Sequence, residues 1–333
     1  MPLAEIEPSF SIIIPVKEIN DYVRETVPYI QQFIYLKWDL TIVTDSEQES
    51  LWPKDSRIRL ISSGAVGPAL KRDLGVTYSK ADFIVFLDDD SYPSKHLLES
   101  YAASIQEFEC DLVGGPAVTP NSDSTSQKAS GATFESRLLG SDAARYRPIG
   151  SGHFVDDWPS VNLCVKRNVF NKMGGFDSKF WPGEDSEFCN KVIQSGSSIR
   201  YNPAAIVYHH RRAGLRRHVR QVSTYGKHRG YFVKLAHKNS RKLKYFLPSA
   251  LLLYFCFFTL TGVFINSSYS QLLSLPLLCY LFLITLFILE TTIRWGIKVG
   301  GLSGIYLICG HFGYGYQFLN GLFSPRKFES KLR

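Results

Sequence analysis

Apolar residues in the first hundred positions fall in short unbroken runs, several followed by stretches in which they recur every three or four places. Residues 10–15 read FSIIIP, a β-branched run closed by proline, and over 22–33 the positions Tyr22, Val23, Val27, Ile30 and Phe33 form one helical stripe. The unit recurs as DLTIVT at 39–44, RIRLIS at 57–62 with a helix over 68–79, and DFIVFL at 82–87 with a helix over 94–108. Runs that do not alternate with polar residues are buried on both faces, which predicts a doubly wound α/β domain with a mainly parallel sheet. Polar, glycine- and proline-rich stretches at 121–127 and 150–159 read as loops around a mobile helix or lid. A strand at 161–166, helices over 167–173 and 184–195, and an extended stretch at 199–208 complete this part.

The pattern changes near residue 245. From there to Thr292 the one ionisable carboxylate or base is Glu290, whereas residues 209–244 carry twelve Lys/Arg and no Asp or Glu. Residues 245–266 and 272–291 are each about the ~20 residues that cross a hydrocarbon core as helix, so two spans are expected, with SSYSQ as a tight turn. Residues 300–322 are diluted by Gly300, Gly301, Gly304, Gly310, Gly313, Gly315 and His311, and Tyr306, Tyr314 and Tyr316 prefer the headgroup level. That segment is expected to be interfacial or re-entrant, with a third span as the alternative. The division predicts a catalytic domain over 1–240 and a membrane domain over 241–333.

Charge orients the chain. The formal net charge of +8 is more than accounted for by the basic block, and a block abutting an apolar run suits anionic lipid headgroups better than nucleic acid. The block and Arg294 with Lys298 are expected on the cytoplasmic side, which gives a multi-pass protein of the inner (plasma) membrane with a cytoplasmic catalytic domain. The N-terminal MPLAEIEPSF lacks the features of a secretory signal. Cys110, Cys164, Cys189, Cys256, Cys279 and Cys309 have no metal-ligand spacing and read as reduced, structural thiols.

Candidate chemistry begins at Asp88, Asp89 and Asp90, which end the run FIVFL. Carboxylates at the C-terminal end of a buried parallel strand sit where open α/β sheets bind ligands. Three adjacent acids repel one another unless a cation neutralises them, and hard oxygen donors suit Mg²⁺ or Mn²⁺. A solvated acidic turn capping the next helix is the competing reading.

SIIIPV, FIVFLDDDSYP and WPGEDSEFCNKVIQSGSSIRYNP, in that order along the chain, resemble motifs of glycosyltransferase family 2, over roughly residues 10–231. The resemblance implies an inverting enzyme with the GT-A fold, a Rossmann-like nucleotide-binding half, and a nucleotide-sugar donor such as a UDP- or GDP-sugar. It implies nucleotide contacts at Pro15, metal ligation by Asp88 and Asp90 with Asp89 beside them near the donor, and Asp185 as the base with Glu184 adjacent as a further donor-binding candidate. In GPALKRDLG the family's arginine falls on Arg72, a donor-binding candidate, while Asp73 stands where the family has asparagine. Asp45 is the candidate for uracil or ribose contact. His209, rather than His210, is taken to complete the metal or diphosphate site. QVSTYGKHRG lacks the Arg-Trp of processive synthases, so transfer of one sugar is expected.

The leading expectation is therefore single-sugar transfer to a lipid-linked acceptor, a polyprenyl phosphate or a glycan carried on one. A non-catalytic membrane adaptor is the alternative, and it predicts broken motifs. A nucleotidyltransferase would need a glycine- and Arg/Lys-rich loop after the first strand, which VKEINDY does not provide.

Overall fold

The computed structural model describes residues 7–324 except 50, 141 and 262–266. The chain forms two compact units. Among the described residues, one contains Glu7–Val118 and Ala144–His210, the other Thr119–Ala143 and Arg211–Ser324.

The first unit is built on strands β1 (Phe10–Pro15), β2 (Trp38–Thr44), β3 (Ile58–Ser62) and β4 (Phe83–Leu87), all parallel, with β1 between β2 and β4. Helix α1 (Asp21–Gln31) follows β1, α2 (Pro68–Thr77) follows β3 and α3 (Leu97–Phe108) follows β4. Alternate residues of one strand serve opposite cores. Ile12 and Ile14 join Val23, Val27, Val85 and Tyr101 on one face, whereas Ile13 joins Val43, Ala69, Phe86 and Phe170 on the other. Burial of both faces is why β1, β2 and β4 read as apolar runs, whereas β3, at the sheet edge, is partly exposed.

Beyond β4 the sheet is mixed. β9 (Asn162–Lys166) lies antiparallel between β4 and β6 (Leu112–Gly114), β10 (Ile199–Tyr201) is parallel to β6, and β8 (His153–Val155) closes the edge antiparallel to β10. The eight-stranded order is β3-β2-β1-β4-β9-β6-β10-β8, parallel-rich rather than uniformly wound. Apart from the exposed Lys166, NLCVK is as buried as the adjoining β4 of the parallel set, and burial does not encode strand direction. A second sheet joins β5 (Ser91–Pro93), β11 (Val207–His209) and β7 (Ala117–Val118), with β11 antiparallel to β5. α5 (Arg167–Met173) and α6 (Glu184–Gln194) cover the second core.

The second unit is helical. The stretch at 121–127, expected as loop, contains the start of α4 (Thr125–Glu135), where Ser124 and Gln127 form a reciprocal capping box. α7 (Leu215–Lys234) precedes α8 (Leu247–Thr261), α9 (Ser267–Trp295) and α10 (Ile297–Phe323). Among the described residues one helix, Leu273–Trp295, is long and apolar enough to cross a membrane, and Leu247–Leu260 is apolar but shorter. The SSYSQ stretch expected as a turn is the first part of α9, and the end of the expected first span, 262–266, falls outside the described residues.

Residues 300–322 lie within one unbroken helix. The glycines that lower its propensity are contact points. A Cβ on Gly304 would meet Ile288 of α9 at 2.6 Å, and one on Gly226 of α7 would meet Tyr314 O at 2.5 Å. A Cβ on Gly230 of α7 would come closer still, within 2.0 Å of Phe318 O. The pairs 226/314 and 230/318 advance together, so α7 and α10 run in the same direction with their backbones in the close approach that small residues allow. Arg294, near the end of α9, pairs with the buried Glu135 of α4 at 2.6 Å.

Candidate active site

The parallel register aligns the ends of three strands. Pro15 lies opposite Val43 and Ile13 opposite Phe86, so the exits of β1, β2 and β4 share one edge, with Pro15, Asp45 and Asp88 on it. Because β9 is antiparallel, its beginning comes to the same edge, Asn162 opposite Leu87. This is the crevice side of an open α/β sheet.

Asp88 follows β4 directly and Asp90 precedes β5. Pairing of β5 with β11 sets His209 opposite Ser91, and His209 Nε2 lies 3.0 Å from Asp90 Oδ1. Asp88, Asp90 and His209 each offer one ligand atom, all within 4.8 Å of one another. Asp90 is buried and Asp88 about a third exposed. Two carboxylates and an imidazole make a donor set for a divalent cation, the carboxylates suiting Mn²⁺ or Mg²⁺ and the imidazole a transition metal. The neighbouring histidine is held elsewhere, His210 Nε2 lying 3.0 Å from Glu25 Oε2. Asp89 accepts from Asn20 Nδ2 at 2.7 Å.

Arg72 ties the two acidic motifs together. Gly75, one turn further along α2, lies against Ile13, where a Cβ would come within 2.6 Å of a methyl group, and this close seat helps bring α2 down onto the sheet. Arg72, 4% exposed, donates to Asp88 Oδ1 at 2.5 Å and to Glu184 Oε1 at 2.8 Å. Burial works against its charge, but the attraction of Asp88, Glu184 and Asp185 outweighs it and raises the guanidinium pKa. Burial pushes the Glu184 carboxyl up, against the pull of Arg72 and with the repulsion of Asp185. Asp185 is more accessible than Glu184; its carboxylate accepts from Ser160 N at 3.3 Å and from Ser186 N at 2.7 Å. Both acids lie in the first turn of α6, where the helix dipole favours negative charge.

Asp45, just past β2, is engaged by Lys71, whose ammonium also donates to Val16 O. Lys71 is buried, unusual for lysine, and its backbone-plus-carboxylate partners account for it. Asp73 accepts from Phe176 N at 3.0 Å, so it ties α2 to the segment leading into α6. Burial raises its pKa to about 6, the Phe176 hydrogen bond opposing. Asn20, Glu25 and Lys71 escaped the sequence reading. The one local signal among them is Asn20 as an N-cap, its Oδ1 accepting from Val23 N at 2.9 Å.

Comparison with known proteins matches residues 83–290 to glycosyl transferase family group 2. The pre-mycofactocin glycosyltransferase of Mycobacterium tuberculosis is 30% identical over 161 residues, 48% of this chain and 33% of that protein. The dolichyl N-acetyl-α-D-glucosaminyl phosphate 3-β-D-2,3-diacetamido-2,3-dideoxy-β-D-glucuronosyltransferase of Methanococcus voltae is 21% identical over 195 residues, 57% of this chain and 59% of that one. The chain thus spans about a third of the length of the first of these relatives and less than two thirds of the second. Among solved structures, the mannosyltransferase PcManGT of Pyrobaculum calidifontis, in complex with GDP-Man and Mn²⁺, shares the fold at a TM-score of 0.62 and 15% identity, covering 97% of this chain and 89% of that one.

Proposed function

The chain belongs to glycosyl transferase family group 2, and on that premise we propose that it moves a single sugar, with inversion, from a nucleoside-diphosphate sugar to a lipid-linked acceptor. The observation that carries the reading is the meeting of Asp88, Asp90 and His209 at a sheet edge that Arg72 joins to Glu184, the neighbour of Asp185. Intact, mutually engaged motifs count against the adaptor alternative.

In this reading Asp88, Asp90 and His209 hold a divalent cation, Mn²⁺ or Mg²⁺, which when bound offsets the charge of the departing diphosphate. Pro15 and Asp45 border the nucleoside, and Asp89 and Arg72 lie on the donor side. Glu184, buried and paired to Arg72, keeps the first turn of α6 in place. Asp185, the more accessible acid of the two, takes the proton from the acceptor hydroxyl as that oxygen attacks the anomeric carbon in line with the leaving group.

The lipid acceptor follows from the second unit and from a relative. The Methanococcus voltae protein is named for a dolichyl-linked sugar phosphate, and Leu273–Trp295 can cross a bilayer. α7 carries Arg216, Arg217, Arg220, Lys227, Arg229 and Lys234, which keep it out of hydrocarbon. Because α10 packs along α7 from Gly310 to Gly321, its second half belongs at the same headgroup level, the interfacial reading. α8 and α9 then form the membrane pair, residues 1–240 the catalytic domain and 241–333 the membrane domain. The charge of α7 orients the protein with its catalytic domain facing the cytoplasm at the plasma membrane. Purified protein in detergent, given a panel of UDP- and GDP-sugars with and without a polyprenyl phosphate, is expected to glycosylate the lipid. Transfer to a water-soluble glycan with no preference for the lipid would overturn the acceptor assignment.

A further inference from the structure

Asp89 and His210 each adjoin a member of the acid–imidazole cluster, and both are gripped by the beginning of α1. Asn20 uses both ends of its amide, Oδ1 accepting from Val23 N at 2.9 Å and Nδ2 donating to Asp89 Oδ2 at 2.7 Å. Less than two turns further, Glu25 Oε2 lies 3.0 Å from His210 Nε2, and the Tyr22 ring stacks on the imidazole with centroids 4.9 Å apart and planes at 29°. The Thr26 hydroxyl sits 2.7 Å from Ser91 O, at the start of β5. The backbone N–H of His210 donates to Asp90 O at 2.9 Å, extending the β5–β11 pairing by one further bond.

We infer that α1 positions the proposed cation site: Asn20, Tyr22 and Glu25 hold Asp89 and His210 so that Asp88, Asp90 and His209 converge, with Glu25 as the principal positioning residue. The need for such a clamp is physical. Three consecutive carboxylates and two consecutive imidazoles can offer several ligand sets, and side chains free to exchange would spread the site over many geometries. Groups behind the ligands that fix their orientation are worth about 10–100-fold in metal affinity. Glu25 is itself about a third exposed, so its pair with His210 adds little to global stability, and its effect is felt in geometry rather than in folding.

This inference rests on the metal reading of Asp88, Asp90 and His209, and the experiment separates the two. Mn²⁺ is titrated calorimetrically into the detergent-purified full chain without nucleotide, beside thermal melts. Glu25→Ala and Asn20→Ala are each expected to weaken Mn²⁺ binding about 10–100-fold. Glu25→Gln, whose amide oxygen still accepts from His210, should stay within about threefold of the unaltered protein, a rescue that simple loss of packing does not give. Should Glu25→Ala not fold, Tyr22→Leu, which removes the stack but keeps apolar bulk, carries the test with the same expected loss. Mn²⁺ bound by the unaltered protein and equally well by the folded alanine variants would overturn the positioning role alone. Absence of Mn²⁺ binding in the unaltered protein, or undiminished binding in Asp90→Asn, would overturn the metal site and this inference with it.

Discussion

Arg72 and Glu184 are 112 positions apart in sequence and form a buried ion pair at 2.8 Å, the contact that links α2 to the start of α6. The other terminal guanidinium nitrogen is on Asp88, so one side chain serves both acidic motifs.

Removing Arg72 leaves Glu184 buried without its cation. Arg72→Met is expected to cost about 3–5 kcal/mol, the usual loss when one partner of a buried pair is deleted, and Arg72→Met with Glu184→Gln should recover part of it. Chemical denaturation of the purified protein measures both. Equal stability of the single and double variants would mean that the pair does not carry the link.

Asp73 gives a pH signature. Its folded pKa, about 6, lies above the ordinary carboxylate value of 3.8, so the folded state binds the proton more tightly and loses stability as pH rises from about 4 to 6. Asp73→Asn keeps an acceptor for Phe176 N and removes the buried charge. The variant should be more stable than the unaltered protein by about 1–2 kcal/mol at pH 7.5, with the gain vanishing near pH 4. Melting curves across that range check it, and a pH-independent difference would contradict the assignment.

Asp185→Asn preserves size and the hydrogen bond from Ser160 N. Loss of proton acceptance should reduce transfer by about 10²-fold or more while donor affinity changes little. Steady-state kinetics with separate donor-binding measurements distinguish this from a binding role, in which affinity falls and turnover at saturation persists.

Topology is open to thiol labelling. Cys110, Cys164 and Cys189 are buried, and burial pushes their thiol pKa values up, so only Cys256, Cys279 and Cys309 need replacement. In that background Ser330→Cys should resist a membrane-impermeant maleimide in intact cells and react after permeabilisation. Labelling from outside would make α10 a full span.

Where the local pattern carries the structure, the sequence is readable. β1 coincides with FSIIIP, and the acids of Asp88–Asp90 and Glu184–Asp185 sit where a strand ends and a helix begins. The choice between His209 and His210 depends on β5–β11 pairing and on Glu25, 185 positions away from His210. Strands of two or three residues, such as β5 and β7, are too short to show a period. The glycines of α10 lower helix propensity when read alone, but their partners on α7 and α9 use the space they leave. Lys71 has the composition of an exposed helix position, and its burial follows from Asp45 and Val16 O, contacts that the sequence does not place together.

Metal-dependent donor chemistry at Asp88, Asp90 and His209 is the central claim, and release of nucleoside diphosphate by the detergent-purified full chain tests it most directly. The unaltered protein, supplied with Mn²⁺ and a panel of UDP- and GDP-sugars, should release nucleoside diphosphate from at least one donor. That release should stop with EDTA, return with added Mn²⁺, and be absent in a folded Asp90→Asn variant. Release that persists undiminished in Asp90→Asn, with the same dependence on Mn²⁺ as the unaltered protein, would contradict the account.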